Sequence, residues 1–382
     1  MSKRTITIFV GLILGCGIFL AGGISLTRGV AVALAARGPS ENGPASAGRL
    51  KPAPTTPRAT SSAAGTVGEL KVTIKEWDVP TKGAHPHDPA MAPDGSLWFT
   101  EQLQNKLGRL DPASGAFKEY VLKIEDSGPH GLVADANGNI WFTGNGKGYI
   151  GKLDPKSGEV TAYQMPDEKA EDPHTAVFDA RGILWFTVQV GSMVGRLDPR
   201  TGKIDLKAVQ GQRPLPYGIA INSKGVPFFC EFGTNKMAKI DPQTMAITEF
   251  KLPEGARPRR MAIDAEDRIY FTDYEGGNLG RLDPATGAVK MWPSPSGKGA
   301  APYGITITPD GAVWFSESGM KPNTMVRFDP KTEQFARTTI PSGGGTVRNM
   351  VATPDGRVYI ACSGVNKVGV VQPAEVVGVP AR

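Results

Sequence analysis

The chain of 382 residues carries 43 Lys and Arg against 37 Asp and Glu, a formal net charge of +6. Lys3, Arg4, Arg28 and Arg37 fall in a leading segment without acids, so the remainder is near balance and has no concentrated basic face for nucleic acid. Only Cys16, Cys230 and Cys362 occur, too few for a disulfide-stapled scaffold, and there is no Cys-x-x-Cys-His run for haem.

Lys3 and Arg4 precede an apolar run from Thr5 to Leu26, followed by Ala31-Val32-Ala33 and Ala33-Leu34-Ala35 as cleavage candidates. Residues 1–37 therefore read as an export signal or, because the run is long, as a retained membrane anchor. Either reading places the bulk of the protein in the periplasm or outside the cell, with the membrane engaged only through this segment. Residues 38–66 are rich in Pro, Ala, Ser and Thr without apolar period and read as a flexible tether, since such sequence cannot offset its ordering entropy by burial. The folded domain is expected over residues 67–376, with a tail at 377–382.

Within that domain one unit recurs seven times. Its starts are His87, His130, His174, Tyr217, Arg259, Tyr303 and Arg348, at spacings of 42–45 residues. This period belongs to β-propellers. Each unit offers an apolar inner strand and a turn such as Asp94-Gly95 or Asp310-Gly311. An aromatic second strand follows, such as Trp98-Phe99-Thr100-Glu101, then a third ending at an Asp-Pro pair and an outer fourth. The last unit lacks an outer strand, and Val72–Trp77 before the first unit supplies one. The expectation is an all-β, seven-bladed propeller of four-stranded antiparallel blades, closed by an N-terminal strand in the last blade. The paired aromatics read as packing between blades and the Asp-Pro pairs as turns.

Loops at one end of such a ring carry function. The leading residue of each inner strand and the trailing residue of the second strand, fourteen positions later, are expected at that end. The trailing positions hold Glu101, Gly144, Val188, Glu231, Asp273, Glu317 and Cys362. Three of the four histidines lead consecutive blades, and His85 lies two residues before the first. One reading is a set of polar groups hydrogen-bonded for structural reasons. The other is an imidazole cluster able to shuttle protons or hold a divalent ion, with His87, His130 and His174 as the reactive groups. Zinc or another transition metal suits histidine ligands; magnesium suits the carboxylates. Arg259 and Arg348, with Arg257 and Arg260 as further candidates, face several acids across the ring, either pairing with them structurally or orienting an anionic or carbonyl-bearing ligand. Arg348 beside Cys362 admits a reactive thiolate as well as an inert thiol.

The repeated Pro-His/Tyr-Gly-Ile, Asp-Gly, Trp-Phe-Thr-Glu and Asn-Lys-Ile/Leu-Gly-Arg pattern over about residues 72–371 resembles the virginiamycin B lyase family. The resemblance implies a propeller that opens an ester-closed peptide ring by β-elimination with a divalent cation, typically magnesium. By pattern it implies His174 as base and His130 as its partner, with Asp172 binding the ion or water; Glu101 and Glu231 are further candidates for that role. Val188 stands where the family has a second acid, and the family's site near the C-terminal blades corresponds here to Tyr303, Glu317, Arg348 and Cys362. Three functions follow as expectations: an exported lyase on an ester or lactone, a non-enzymatic propeller binding a small molecule or exposed peptide, and a metal- or redox-linked protein using the histidines. A monomer is expected in each case.

Overall fold

The computed structural model describes residues 60–61 and 67–373; the export segment, most of the tether and the tail lie outside the described residues. Seven sheets surround one axis. Blades 1 to 7 begin with the inner strands Pro86–Met91, Pro129–Ala134, Pro173–Phe178, Pro216–Ile221, Pro258–Ile263, Pro302–Ile307 and Val347–Ala352. Neighbouring strands within each repeat are antiparallel, as the pattern of alternation and tight turns requires. Six inner strands start at proline, tolerated there because the first residue of a strand can forgo a ladder hydrogen bond. Among the described residues no helix is long and apolar enough to cross a membrane.

The aromatic pairs pack on both faces of each blade. Trp98 faces the cluster shared with blade 2, whereas Phe99 lies in the cluster shared with blade 7. The third-strand glycine in the Leu-Gly-Arg motif is the counterpart of that phenylalanine: a Cβ on Gly108 would stand 2.3 Å from the Phe99 ring. The recurrent Asp-Pro pairs are turns, with Asp111 accepting from the Ala113 N–H at 2.9 Å.

The ring closes as expected. Val72–Asp78 lies antiparallel to Lys367–Pro373, pairing Trp77 with Val368, and completes blade 7. Upstream residues add something the repeat did not announce. Val67–Glu69 pairs parallel with the outer strand Gln334–Thr339 of blade 6, and Thr60–Ser61 pairs parallel with Val289–Pro293 of blade 5. These short additions cover two outer edges that would otherwise present unpaired backbone groups.

Each inner strand also carries a register shift at its start. In blade 1 Pro86 pairs with Glu101 but Pro89 pairs with Phe99, so His87 and Asp88 sit opposite a shortened partner. The shift recurs in all seven blades. A bulge of this kind re-aims side chains, and here it turns the leading residues toward the axis.

Candidate functional site at the channel mouth

The seven leading residues meet around the axis. The rings of His87, His130, His174 and Tyr217 follow one another from blade to blade, with centroids 3.9, 3.8 and 4.1 Å apart. The Tyr217 hydroxyl meets that of Tyr303, passing over blade 5. His85, with φ of 55°, extends the histidine arc at 6.1 Å from His87. The three leading imidazoles are almost wholly buried, between 2% and 4% exposed. Burial first, then the neighbouring imidazole for His130 and His174 and Arg348 for His87, with the other guanidinium groups adding to it, hold their pKa values well below the ordinary imidazole value. They are neutral at physiological pH.

The residues that follow His87 and Arg259 form a second tier. Asp88 and Arg260, from blades 1 and 5, reach across the channel and pair at 2.8 and 3.2 Å. Asp88 also binds the Nδ1 of His87 at 2.8 Å. Both side chains of the cross-channel pair are buried, so it acts as a fixed plug across the bore.

Arg259 and Arg348 occupy the opposite arc. The Arg259 guanidinium lies 3.9 Å from the ring centroid of Tyr303, 4.2 Å from Tyr274, 4.7 Å from Phe232 and 5.1 Å from Tyr217. Arg348 approaches the same Tyr303, its Nη1 standing 3.5 Å from the phenol oxygen. Burial pushes the Tyr303 phenol up, but Arg259, Arg348 and Arg260 outweigh it and draw its pKa below the ordinary value. Sequence reasoning found Arg259, Tyr303 and Arg348 and offered Arg260 as an arginine that pairs with an acid, but missed its partner Asp88 and the roles of Phe232 and Tyr274. Their signal was positional: Asp88 and Arg260 each follow a leading residue, and Phe232 and Tyr274 each follow a trailing one.

The trailing residues do not share this mouth, which corrects the sequence expectation. They lie on the second strand, one strand spacing of about 4.8 Å farther from the axis, and their side chains enter the blade faces and their loops. Glu317 is wrapped by Ser294, Ser296 and Thr324. Asp273 accepts from the Arg257 backbone N–H at 2.8 Å and from Asn278 at 2.7 Å. Glu231 takes the Thr234 hydroxyl at 3.0 Å, and one of its oxygens has no partner. Neither oxygen of Glu101 has one. Burial and nearby Glu119 raise Glu101 to about 8; burial and Glu249 raise Glu231 to about 7. Val188 is buried in the apolar cluster of blades 2 and 3. Gly144 makes way for Tyr149, whose ring would stand 2.1 Å from an added Cβ.

Two further placements change. Cys362 packs in the core between blades 6 and 7 and not at the mouth; burial and then Glu76 push its thiol well above the ordinary range, in keeping with the inert-thiol reading and against the thiolate. Asp172 accepts from the backbone N–H groups of Val190 and Gly191, at 2.6 and 3.0 Å, and ties down their turn instead of joining the histidines.

The residue before each trailing position has a task that sequence reading passed over. The Thr143 hydroxyl accepts from the Gly131 N–H of its own blade and donates to the His174 carbonyl of the next, at 2.8 and 2.9 Å. Thr100, Thr187, Thr272 and Ser316 reach the following inner strand likewise. Blade 4 has Cys230 in this slot and blade 7 has Ala361, but Ser363 reaches the Pro86 carbonyl at 2.7 Å and latches the last blade to the first.

The only compact set of metal-capable side chains among the described residues is His87, Asp88 and His130, whose ligand atoms lie within 4.8 Å of one another. It does not fit a divalent cation. Magnesium asks for several oxygen ligands, and Asp88, the one carboxylate present, already has both oxygens on Arg260. Arg348 and Arg260 also act on both imidazoles. Glu101, Glu231 and Asp172, the expected ion ligands, are in separate places.

A seven-bladed propeller with a polar, plugged channel defines the class of protein. The chain belongs to the virginiamycin B lyase family, whose profile matches residues 58–229 and 203–379. Among solved structures it is similar to a streptogramin B lyase, with 26% identity over 80% of this chain and 98% of that one and a TM-score of 0.73. The virginiamycin B lyase of Staphylococcus aureus superposes with a TM-score of 0.73 at 22% identity, covering 79% of this chain and 99% of that one. A catalytically inactive form of that enzyme, with quinupristin, gives 0.72 at 22% identity over 79% and 99% of the two chains. A search of curated proteins returned no match.

Proposed function

We propose that this family member is a ligand-recognition propeller. It takes a small molecule or an exposed peptide group at the channel mouth, without the divalent cation and the cation-dependent elimination that its relatives' family implies. The observation that carries the reading is the charge balance there. Arg259, Arg260 and Arg348 converge where Asp88 is the one carboxylate, and Asp88 is already paired. A divalent cation would add to uncompensated positive charge in a poorly solvated channel, where electrostatic terms are largest. The acids that could reverse that balance are bound within the blades.

A metal-free proton transfer is a second reading. It is favoured by the His174 ring against Tyr217, whose hydroxyl meets that of Tyr303, so that an uncharged imidazole able to accept a proton adjoins a phenol whose pKa is drawn below its ordinary value. An exported location, with the membrane engaged only through residues 1–37, is part of the proposal and rests on the leading sequence.

Incubation with quinupristin, with and without magnesium, separates these readings by mass spectrometry and by ultraviolet absorbance of a new double bond. The expected result is no ring-opened product in either condition, and no stoichiometric divalent ion by elemental analysis of untagged protein. Product formed only with magnesium would overturn the proposal. Product formed equally after chelation would replace it with the metal-free reading.

A further inference from the structure

We infer that the channel mouth holds an anionic group, a carboxylate or a phosphate, in a clamp formed by Arg259 and Arg348, which converge on Tyr303. This deepens the recognition reading above and rests on it, because it names the chemistry of the ligand at the same site.

The first support is the contrast between these arginines and others in the molecule. Arg109, Arg181, Arg200 and Arg268, on the outer blades, each rest on a carboxylate. Arg260 rests on Asp88. Arg259 and Arg348, though half-buried, have no carboxylate partner among the described residues; the Nε of each is buried without an acceptor, as is that of Arg260, whose terminal nitrogens alone hold Asp88. A guanidinium withdrawn from water without an anion is costly, so the fold maintains two such groups side by side against a real penalty.

The second support is the way Arg259 is fixed. Four aromatic rings surround its guanidinium at centroid distances from 3.9 to 5.1 Å. Contacts of this kind satisfy the π faces of a planar cation and leave its N–H edge for a planar anion. A carboxylate or phosphate presented to that edge gains paired, charge-assisted hydrogen bonds. Arg348 approaches Tyr303 as well, at 5.8 Å from the ring centroid, so both cations converge on one phenol.

The third support is the floor beneath. The Asp88–Arg260 pair spans the bore at the next tier, so it is internally neutral and competes little for the incoming group. His87, His130 and His174, uncharged, line the other wall and can donate or accept a hydrogen bond from the uncharged part of a ligand.

The test uses the full-length chain at constant ionic strength, with inorganic phosphate, succinate and glucose as probes, read by calorimetry and thermal shift. Phosphate or succinate should bind saturably and glucose should not; the tighter of the two anions decides between phosphate and carboxylate recognition. Arg348→Gln and Arg259→Gln should each weaken anion binding at least tenfold, and Arg348→Lys should retain part of it because the charge remains. Arg200→Gln, on the exposed outer surface, should leave binding unchanged. Should Arg259→Gln fail to fold, the pair of Arg348 variants still decides. Absence of saturable binding for both anions, or unchanged affinity in both glutamine variants, overturns the clamp. If the anions fail but quinupristin binds and loses affinity in His174→Ala, the clamp falls and recognition at the mouth stands. If the anions fail and magnesium-dependent ring opening appears, both fall.

Discussion

The leading and trailing residues of the blades recur with one offset and equal prominence, yet they meet opposite fates. His87, His130, His174, Tyr217 and Tyr303 come together on the axis, whereas Glu101, Glu231, Asp273 and Glu317 turn into the blade faces and loops. The difference lies in one strand spacing and one bulge. A residue on the inner strand at the register shift points into the bore, while its partner on the second strand starts farther out and is claimed by local donors. In a propeller, therefore, a conspicuous acid at a repeated position serves the blade unless it lies on the inner strand.

That comparison can be broken most forcefully at the plug. Asp88→Ala leaves Arg260 buried without its partner, and removing one member of a buried ion pair costs about 3–5 kcal/mol. Denaturant unfolding should register a loss of that order. A loss below about 1 kcal/mol would mean that the second tier is more open to water than its burial indicates.

Val188→Glu restores by type the acid that the family pattern expects. It should cost several kcal/mol, because the side chain is fully buried against Ala170 and Met193 and a carboxylate there lacks a counter-charge. It should confer no magnesium binding by calorimetry. A stable variant that retains magnesium would place the trailing ring within reach of the channel and sink the distinction.

The hydroxyl latches offer a smaller effect. Thr187→Val keeps the shape but leaves the Tyr217 carbonyl and the Thr175 N–H without their shared partner, at a cost of about 1–3 kcal/mol. Thr187→Ser should recover most of this in the same unfolding measurement.

Glu101 gives an effect that is absent in acid and is read from its pH signature. Its folded value of about 8 exceeds the ordinary 4.5. Below the lower value both states are protonated and burial adds no ionisation penalty. As pH rises through the window, the unfolded state ionises while the folded state resists, and the stability associated with the protonated form is lost by about pH 8. Glu101→Gln should therefore match the parent near pH 4 and exceed it increasingly up to about pH 8, by up to a few kcal/mol. Equal stability at both ends would show that Glu101 is hydrated or paired in solution.

The repeat period, the aromatic second strands and the displaced outer strand Val72–Asp78 were legible in sequence because each is local, periodic and tied to one backbone register. The histidine arc was legible for the same reason. The acids were misplaced because period alone tells which end of a strand a residue occupies and not how far it stands from the axis. Cys362 was misplaced at the mouth, though its inertness was foreseen as one of two readings, because Arg348, its neighbour in register, points to the bore while the thiol enters the core. The strand additions at Thr60–Ser61 and Val67–Glu69 left no trace in a composition dominated by small and polar residues.

By itself the sequence determined the number of blades, how the ring closes and which seven side chains lead the inner strands, since these follow from hydrophobic alternation repeated along one chain. Only the tertiary structure decided that Asp88 crosses the bore to Arg260, 172 residues away, and that Tyr217 meets Tyr303 over an intervening blade. Those contacts join residues on opposite sides of a circle. Their distance is set by the ring's diameter and the tilt of its blades, and neither is written in any local pattern.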